Sequence, residues 1–158
     1  MFGAVIALQV ALVLSLGARA INIAAAQSTV RSTASIAVLP LTVDDGDIES
    51  RTIADSLLDE TINVLARIPG LKVTSRESSL RYKGSDLSLF VIGSELRVKY
   101  IVDGSVWRAK SRVRITVELM SVDDGSSLWR ESFDRDVNSI ESVYPEIAGS
   151  VARIAKML

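Results

Sequence analysis

KYIVDGSVWRAKSRVRITVELMSVDDGSSLWRESFDRDV, residues 99–137, decides the fold. In its middle, Val113, Ile115, Val117 and Leu119 alternate with Arg112, Arg114, Thr116 and Glu118, the period-two pattern of a strand with one apolar and one polar face. Tyr100 to Trp107 before it and Leu128 to Phe133 after it are also of strand length. Asp124-Gly125 in the second connection is a hairpin signal, because glycine tolerates positive φ. Asp103-Gly104 inside the first strand suggests a bulge. Three antiparallel strands with one apolar face need a cover, and the flanking helical patterns can supply it.

Upstream, SIAVLPL (Ser35 to Leu41) reads as a short strand buried on both faces. TVDDGDIESRT follows, and its carboxylates Asp44, Asp45, Asp47 and Glu49 lack calcium-loop spacing, so they read as helix-capping and solvated groups. Ile53, Ala54, Leu57, Leu58, Ile62, Leu65 and Ile68 recur at helical spacing, and Pro69-Gly70 stops that helix. LKVTS (Leu71 to Ser75) is a second short strand, with parallel pairing expected across the helical crossover. RESSLRYKGSD reads as a loop or short helical turn, and Asp86 as the cap of a helix bearing Leu89, Ile92, Gly93 and Leu96 on one face. Gly93 there implies close approach to the sheet. At the far end, Asn138 and Glu141 have capping-box spacing ahead of the stripe Ile140, Val143, Tyr144, Ile147, Val151, Ile154 and Leu158. Pro145 predicts either a kink or a restart of the helix near Ser142.

The expected fold is therefore α/β, a mixed sheet of about five strands in the order strand-helix-strand-helix, three-strand meander, helix. Helices 48–68 and 140–158 pack on one face. Trp107, Trp129, Phe133 and Tyr144 read as core or sheet-face aromatics.

Phe2 to Ala18 carries no charge, and 1–26 reads as a transmembrane anchor or signal peptide, with 27–34 a linker and 35–158 the globular domain. The expected placement is a single-pass inner-membrane protein with a periplasmic domain, or a soluble periplasmic form after signal cleavage, although Arg19 and Arg31 beyond the apolar run lean weakly toward a cytoplasmic side and leave the orientation open.

The 18 Lys and Arg against 19 Asp and Glu argue against a dedicated nucleic-acid partner. Residues 67–114 are locally basic, eleven cations to four acids, which reads as a solvated face balanced by acids elsewhere, with an anionic partner such as phospholipid headgroups, cell-wall polymer or nucleic acid as the alternative. The chain has no His and no Cys, which removes imidazole and thiolate catalysis and the usual zinc ligands. No phosphate-binding glycine loop exists, and the pairs Asp44/Asp45 and Asp123/Asp124 fall in predicted loops. No catalytic residue, cofactor or metal site is assigned. Arg112 and Arg114, outward on the central strand, form the candidate interaction surface.

Several motifs, taken in this order, resemble the TolB amino-terminal-like domain family: IAVLP (36–40), RIPGLKV (67–73), IGSEL (92–96), KYIVDGSVWR (99–108), RVRITVEL (112–119), SLW (127–129), FDRD (133–136) and PEIAGSVA (145–152). The resemblance covers about residues 35–155. Leu41 stands where the family has Phe, Ala109-Lys110-Ser111 lacks the customary glycine, and Pro145 takes an acidic position. Such domains recur in bacterial membrane proteins beside cyclase, winged-helix or repeat domains. The resemblance implies a non-catalytic, membrane-anchored envelope domain for protein interaction or scaffolding, with a protein partner in the envelope. The alternative it implies is a sensory, ligand-input domain of a cyclase-type or transcription-regulator protein; a small-molecule ligand is the less expected partner.

Overall fold

The computed structural model describes residues 34–44 and 47–158. β1 (Ser35–Val38) and β2 (Thr42–Val43) precede helix α1 (Ile48–Leu65), followed by β3 (Lys72–Val73), α2 (Arg76–Leu80) and α3 (Leu89–Leu96). The meander is β4 (Tyr100–Ala109), β5 (Arg112–Ser121) and β6 (Ser127–Asp136). A 3-10 helix (Val137–Ser142) leads into α4 (Val143–Ala155). The six strands form one mixed sheet in the order β3-β1-β4-β5-β6, with β2 also on β4. β1 is parallel to both β3 and β4, β2 is parallel to β4, and β4-β5 and β5-β6 are antiparallel.

The alternation read in the sequence fixes which face is covered. Val113, Ile115, Val117 and Leu119 join Ile36, Val38, Val102, Val106 and Phe133 beneath α1 and α4. From the helices come Ile53, Leu57, Leu58, Val143, Ile147 and Val151. Each such side chain contributes roughly 1.5–3 kcal/mol on burial. β1 is buried on both sides, as its run of apolar residues implies: Ala37 and Leu39 enter a smaller cluster with Ile92, Val98, Ile101 and Val122, beneath α3.

β1 and β2 are one strand interrupted at Pro40. Val38 pairs with Val102 and Thr42 with Ser105, so three residues on one side face two on the other. The extra residue sits where proline offers no N–H to the ladder. Gly104 lies across from it. A Cβ on Gly104 would meet the Thr116 carbonyl oxygen at 2.1 Å and Leu41 Cδ2 at 2.6 Å. The bulge expected at Asp103-Gly104 is thus displaced: the β4-β5 register is continuous from Tyr100↔Ser121 to Ala109↔Arg112, and glycine is there for close approach. β5-β6 does slip, between Leu119 and Met120.

Asp47 caps α1, accepting from the Glu49 and Ser50 amides at 3.1 and 3.2 Å and from Ser50 Oγ at 2.6 Å. α3 is capped by Ser88 and not by Asp86, because the helix begins at Leu89. The chain before α4 forms a 3-10 turn capped by Asp136, in place of the capping box expected from Asn138 and Glu141. The helix restarts at Val143, so Pro145 falls in the first turn, where its missing N–H costs nothing. Lys110 takes φ 55° in the β4-β5 turn, the conformation that explains the family's usual glycine there. Gly125 at φ 68° serves the β5-β6 turn as expected.

The inner-membrane, single-pass placement is corrected. Among the described residues no helix is long and apolar enough to cross a membrane. The longest described, α1, has 18 residues and carries Glu49, Arg51, Asp55, Asp59 and Glu60. The stretch 2–26, on which the expectation rested, lies outside the described residues.

Candidate functional site

The covered face of the sheet is core, so the opposite face of the meander is the sheet surface left for side-chain chemistry. The cross-strand register arranges it in tiers: Ile101 and Met120; Asp103, Glu118 and Arg130; Ser105, Thr116 and Ser132; Trp107, Arg114 and Asp134; Ala109, Arg112 and Asp136. α3 covers only the first tier. Gly93 brings it close, since a Cβ at that position would lie 2.5 and 2.6 Å from the Val122 methyls.

Beneath and beside α3 a cleft of about 320 Å³ opens. Leu89, Phe90, Ile101, Met120 and Val122 line it, and Asp123, Asp124 and Gly125 form one rim. Phe90, one of its lining residues, is 62% exposed, and its chain neighbours Leu87 and Val91 are exposed as well. Asp124 accepts from the Ser126 amide at 3.0 Å and from Ser126 Oγ at 2.8 Å, bonds that hold its carboxyl below the ordinary range. Asp124 therefore stays charged on that rim.

The remaining tiers are polar and mostly self-paired. Arg114 donates through Nε and Nη2 to both oxygens of Asp134 at 2.9 and 3.2 Å, a bidentate contact that raises the arginine's pKa and lowers the carboxylate's. Thr116 and Ser132 share a 2.9 Å hydroxyl contact. Glu118 is 3.6 Å from Arg130. Asp103 faces Glu118 directly across the ladder, and burial foremost, with the Glu118 charge adding, pushes its carboxyl up despite the hydrogen bond from the Gly104 amide. Trp107, on the tier of Arg114 and Asp134, is 51% exposed.

Arg112 and Arg114, the residues singled out by alternation, both lie on this open face. Arg114 is engaged by Asp134, and Arg112 is opposite Asp136 in the register. The local run of basic residues is met by α1 and its cap: Arg76 pairs with Asp59, Lys83 with Asp55 at 3.3 Å, and Arg108 with Glu49 at 2.7 Å and Asp47 at 3.5 Å. Sequence reading missed the cleft and its key residue Phe90. A signal was present in Leu87, Phe90 and Val91, apolar residues off the stripe that faces the sheet. Among the described residues no group of three or more acidic side chains is placed to hold a metal ion.

A family model described as the second domain of HilA/YgeH-like transcriptional regulators matches residues 32–149. The chain belongs to that family. This HilA/YgeH-like second domain is also 35% identical over 123 residues to a protein of Rhizobium meliloti (strain 1021) named "Putative adenylate cyclase 3". The match takes in 78% of this chain and 21% of that relative, so the chain spans about a fifth of the longer protein's length. In fold it is similar to TolB from Acinetobacter baumannii, at TM-score 0.54 and 14% identity over 78% of this chain and 28% of that one. It is also similar to PelC from Paraburkholderia phytofirmans, solved as a dodecamer, at TM-score 0.52 and 18% identity over 78% and 88%. Lipoprotein GNA1162 from Neisseria meningitidis gives TM-score 0.52 at 14% identity over 75% and 96%. The likeness to TolB holds at the level of the fold, while the family is that of the regulators' second domain.

Proposed function

We propose that this HilA/YgeH-like second domain is a non-catalytic module through which a signalling or regulatory protein binds a protein partner. The observation that carries the reading is the apolar cleft with Phe90 exposed in its lining and Leu87 exposed three residues earlier in the chain, on a face where α3 covers only one tier of the meander. Exposed aromatic and aliphatic side chains around a concavity are what partners use as anchor points. The family supports the regulatory setting, because its members are second domains of transcriptional regulators, and the relative named as a cyclase places a similar segment within a longer chain.

Site-specific photo-crosslinking in cells tests this. A photoreactive phenylalanine analogue at Leu87 of the full chain is expected to give one discrete protein adduct, lost on Phe90→Asp, while the same probe at Glu77 on α2 gives none. No adduct at Leu87, or one indifferent to Phe90→Asp, refutes the reading.

A second reading has a specific observation in its favour. A cleft of about 320 Å³ lined by five apolar side chains is at the lower end of ligand-site volumes, so a small apolar ligand could be the input. Native mass spectrometry of the full chain would show that ligand as a fixed mass increment lost on Phe90→Asp.

A further inference from the structure

β6 ends the sheet, and among the described residues no strand pairs with its outer edge. Ten residues make a long open edge. Such an edge is a template for another strand, and here the sequence specifies which one. Written antiparallel to itself and centred on Phe133, the strand SLWRESFDRD sets Arg130 opposite Asp136 of a second copy and Glu131 opposite Arg135. Symmetry repeats both, giving four oppositely charged cross-strand pairs.

The faces agree as well. Arg130 and Asp136 are opposite Glu118 and Arg112 of β5, both on the open face, while Glu131 and Arg135 are opposite Val117 and Val113, both on the core face. The open faces of the two copies would therefore lie on the same side of one continuous sheet. Neighbouring registers of the same parity are poorer. Centring on Glu131 sets that carboxylate against itself, and centring on Ser132 leaves only Arg130 against Asp134.

Glu131 has no hydrogen-bonded or ion-paired partner among the described residues, so its pairing across the edge displaces nothing within the chain. Arg135 donates to Glu146 at 2.8 Å and to the Asp134 carbonyl at 3.0 Å, and its guanidinium has further N–H donors. We propose that β6 is a self-recognition edge through which two copies of this chain pair antiparallel about Phe133. The competing physical reading is that the same charges keep the edge unpaired.

The absence of cysteine makes the register directly readable. In the proposed dimer Ser132 faces Asp134 of the other copy, and neither residue faces itself. An equimolar mixture of full-length Ser132→Cys and Asp134→Cys chains is expected to give a disulfide-linked heterodimer under mild oxidation, with neither variant linking alone. Sedimentation velocity of the unmodified full chain should show a monomer-dimer equilibrium, weakened roughly tenfold by Glu131→Arg. That variant loses no partner within the chain, so its unfolding midpoint at dimer-dissociating dilution should match the parent. A monomer at all concentrations, self-linking by either cysteine variant, or indifference of the equilibrium to Glu131→Arg overturns the proposal.

Discussion

Gly104→Ala adds one methyl group at the tightest point of the sheet. The new Cβ would lie 2.1 Å from the Thr116 carbonyl oxygen and 2.6 Å from Leu41 Cδ2. A carbon and a carbonyl oxygen normally approach no closer than about 3.3 Å, so β4 and β5 must part locally by about 1 Å. The ladder between them has no irregularity over its ten paired residues, so nothing nearby yields easily. An N–H···O bond stretched by that amount from about 2.9 Å leaves hydrogen-bonding range. Two such bonds at about 1 kcal/mol each, with overpacking strain of about 1–3 kcal/mol, give a loss of about 3–5 kcal/mol. Urea unfolding of the full chain, followed by Trp107 and Trp129 fluorescence, measures it. Gly149→Ala is the control: it lies on the exposed side of α4 with nothing within 4 Å, and should gain about 0.5–1 kcal/mol from helix propensity. If Gly104→Ala falls within about 0.5 kcal/mol of the parent, the close-approach account of this glycine is wrong.

Asp103→Asn should stabilise the protein at neutral pH. Burial raises the folded-state pKa of Asp103, so the stability linked to its proton is full below the ordinary carboxylate pKa and is lost as pH rises through the raised value. Urea midpoints across that window should fall with rising pH in the parent and lose that component in Asp103→Asn. Lys110→Gly should gain up to about 1 kcal/mol in the same assay, because φ 55° is strained for lysine and free for glycine. Gly93→Ala should cost about 1–2 kcal/mol, less than Gly104→Ala, because it meets the movable Val122 side chain and not backbone. Hydrogen exchange should show faster opening of α3 in that variant and little change in β5.

The fold was legible where a local pattern and its tertiary use coincide. Alternation in β5 gave the covered face, the unbroken apolar run of β1 gave burial on both sides, and Pro69-Gly70 bounded the first crossover helix, which ends at Leu65, three residues short of the expected Ile68. Caps were harder, since Asp86, Ser88, Asp136 and Asn138 are all competent and the choice depends on where the backbone turns. β2 was invisible because two residues have no period, and its pairing depends on Gly104, sixty residues downstream. The candidate site was least legible. Its lining comes from α3, β4, the end of β5 and the β5-β6 turn, four segments whose meeting is set only by the sheet order. Asp103 looked like any strand carboxylate until Glu118 and burial were placed around it.

The position of β1 between β3 and β4 has a consequence during synthesis. It is the first strand of the described domain to leave the ribosome, and the Lys99 amide that bonds to Ser35 is 64 residues later. At ~5–20 residues per second that is a wait of about 3–13 s. Throughout it SIAVLPL is an apolar strand former without its central neighbour, the kind of segment for which aggregation competes. Pro40, which in the finished sheet accommodates an extra residue, interrupts that segment for intermolecular pairing as well. The same ring that shapes the native bulge thus guards the nascent chain until β4 arrives.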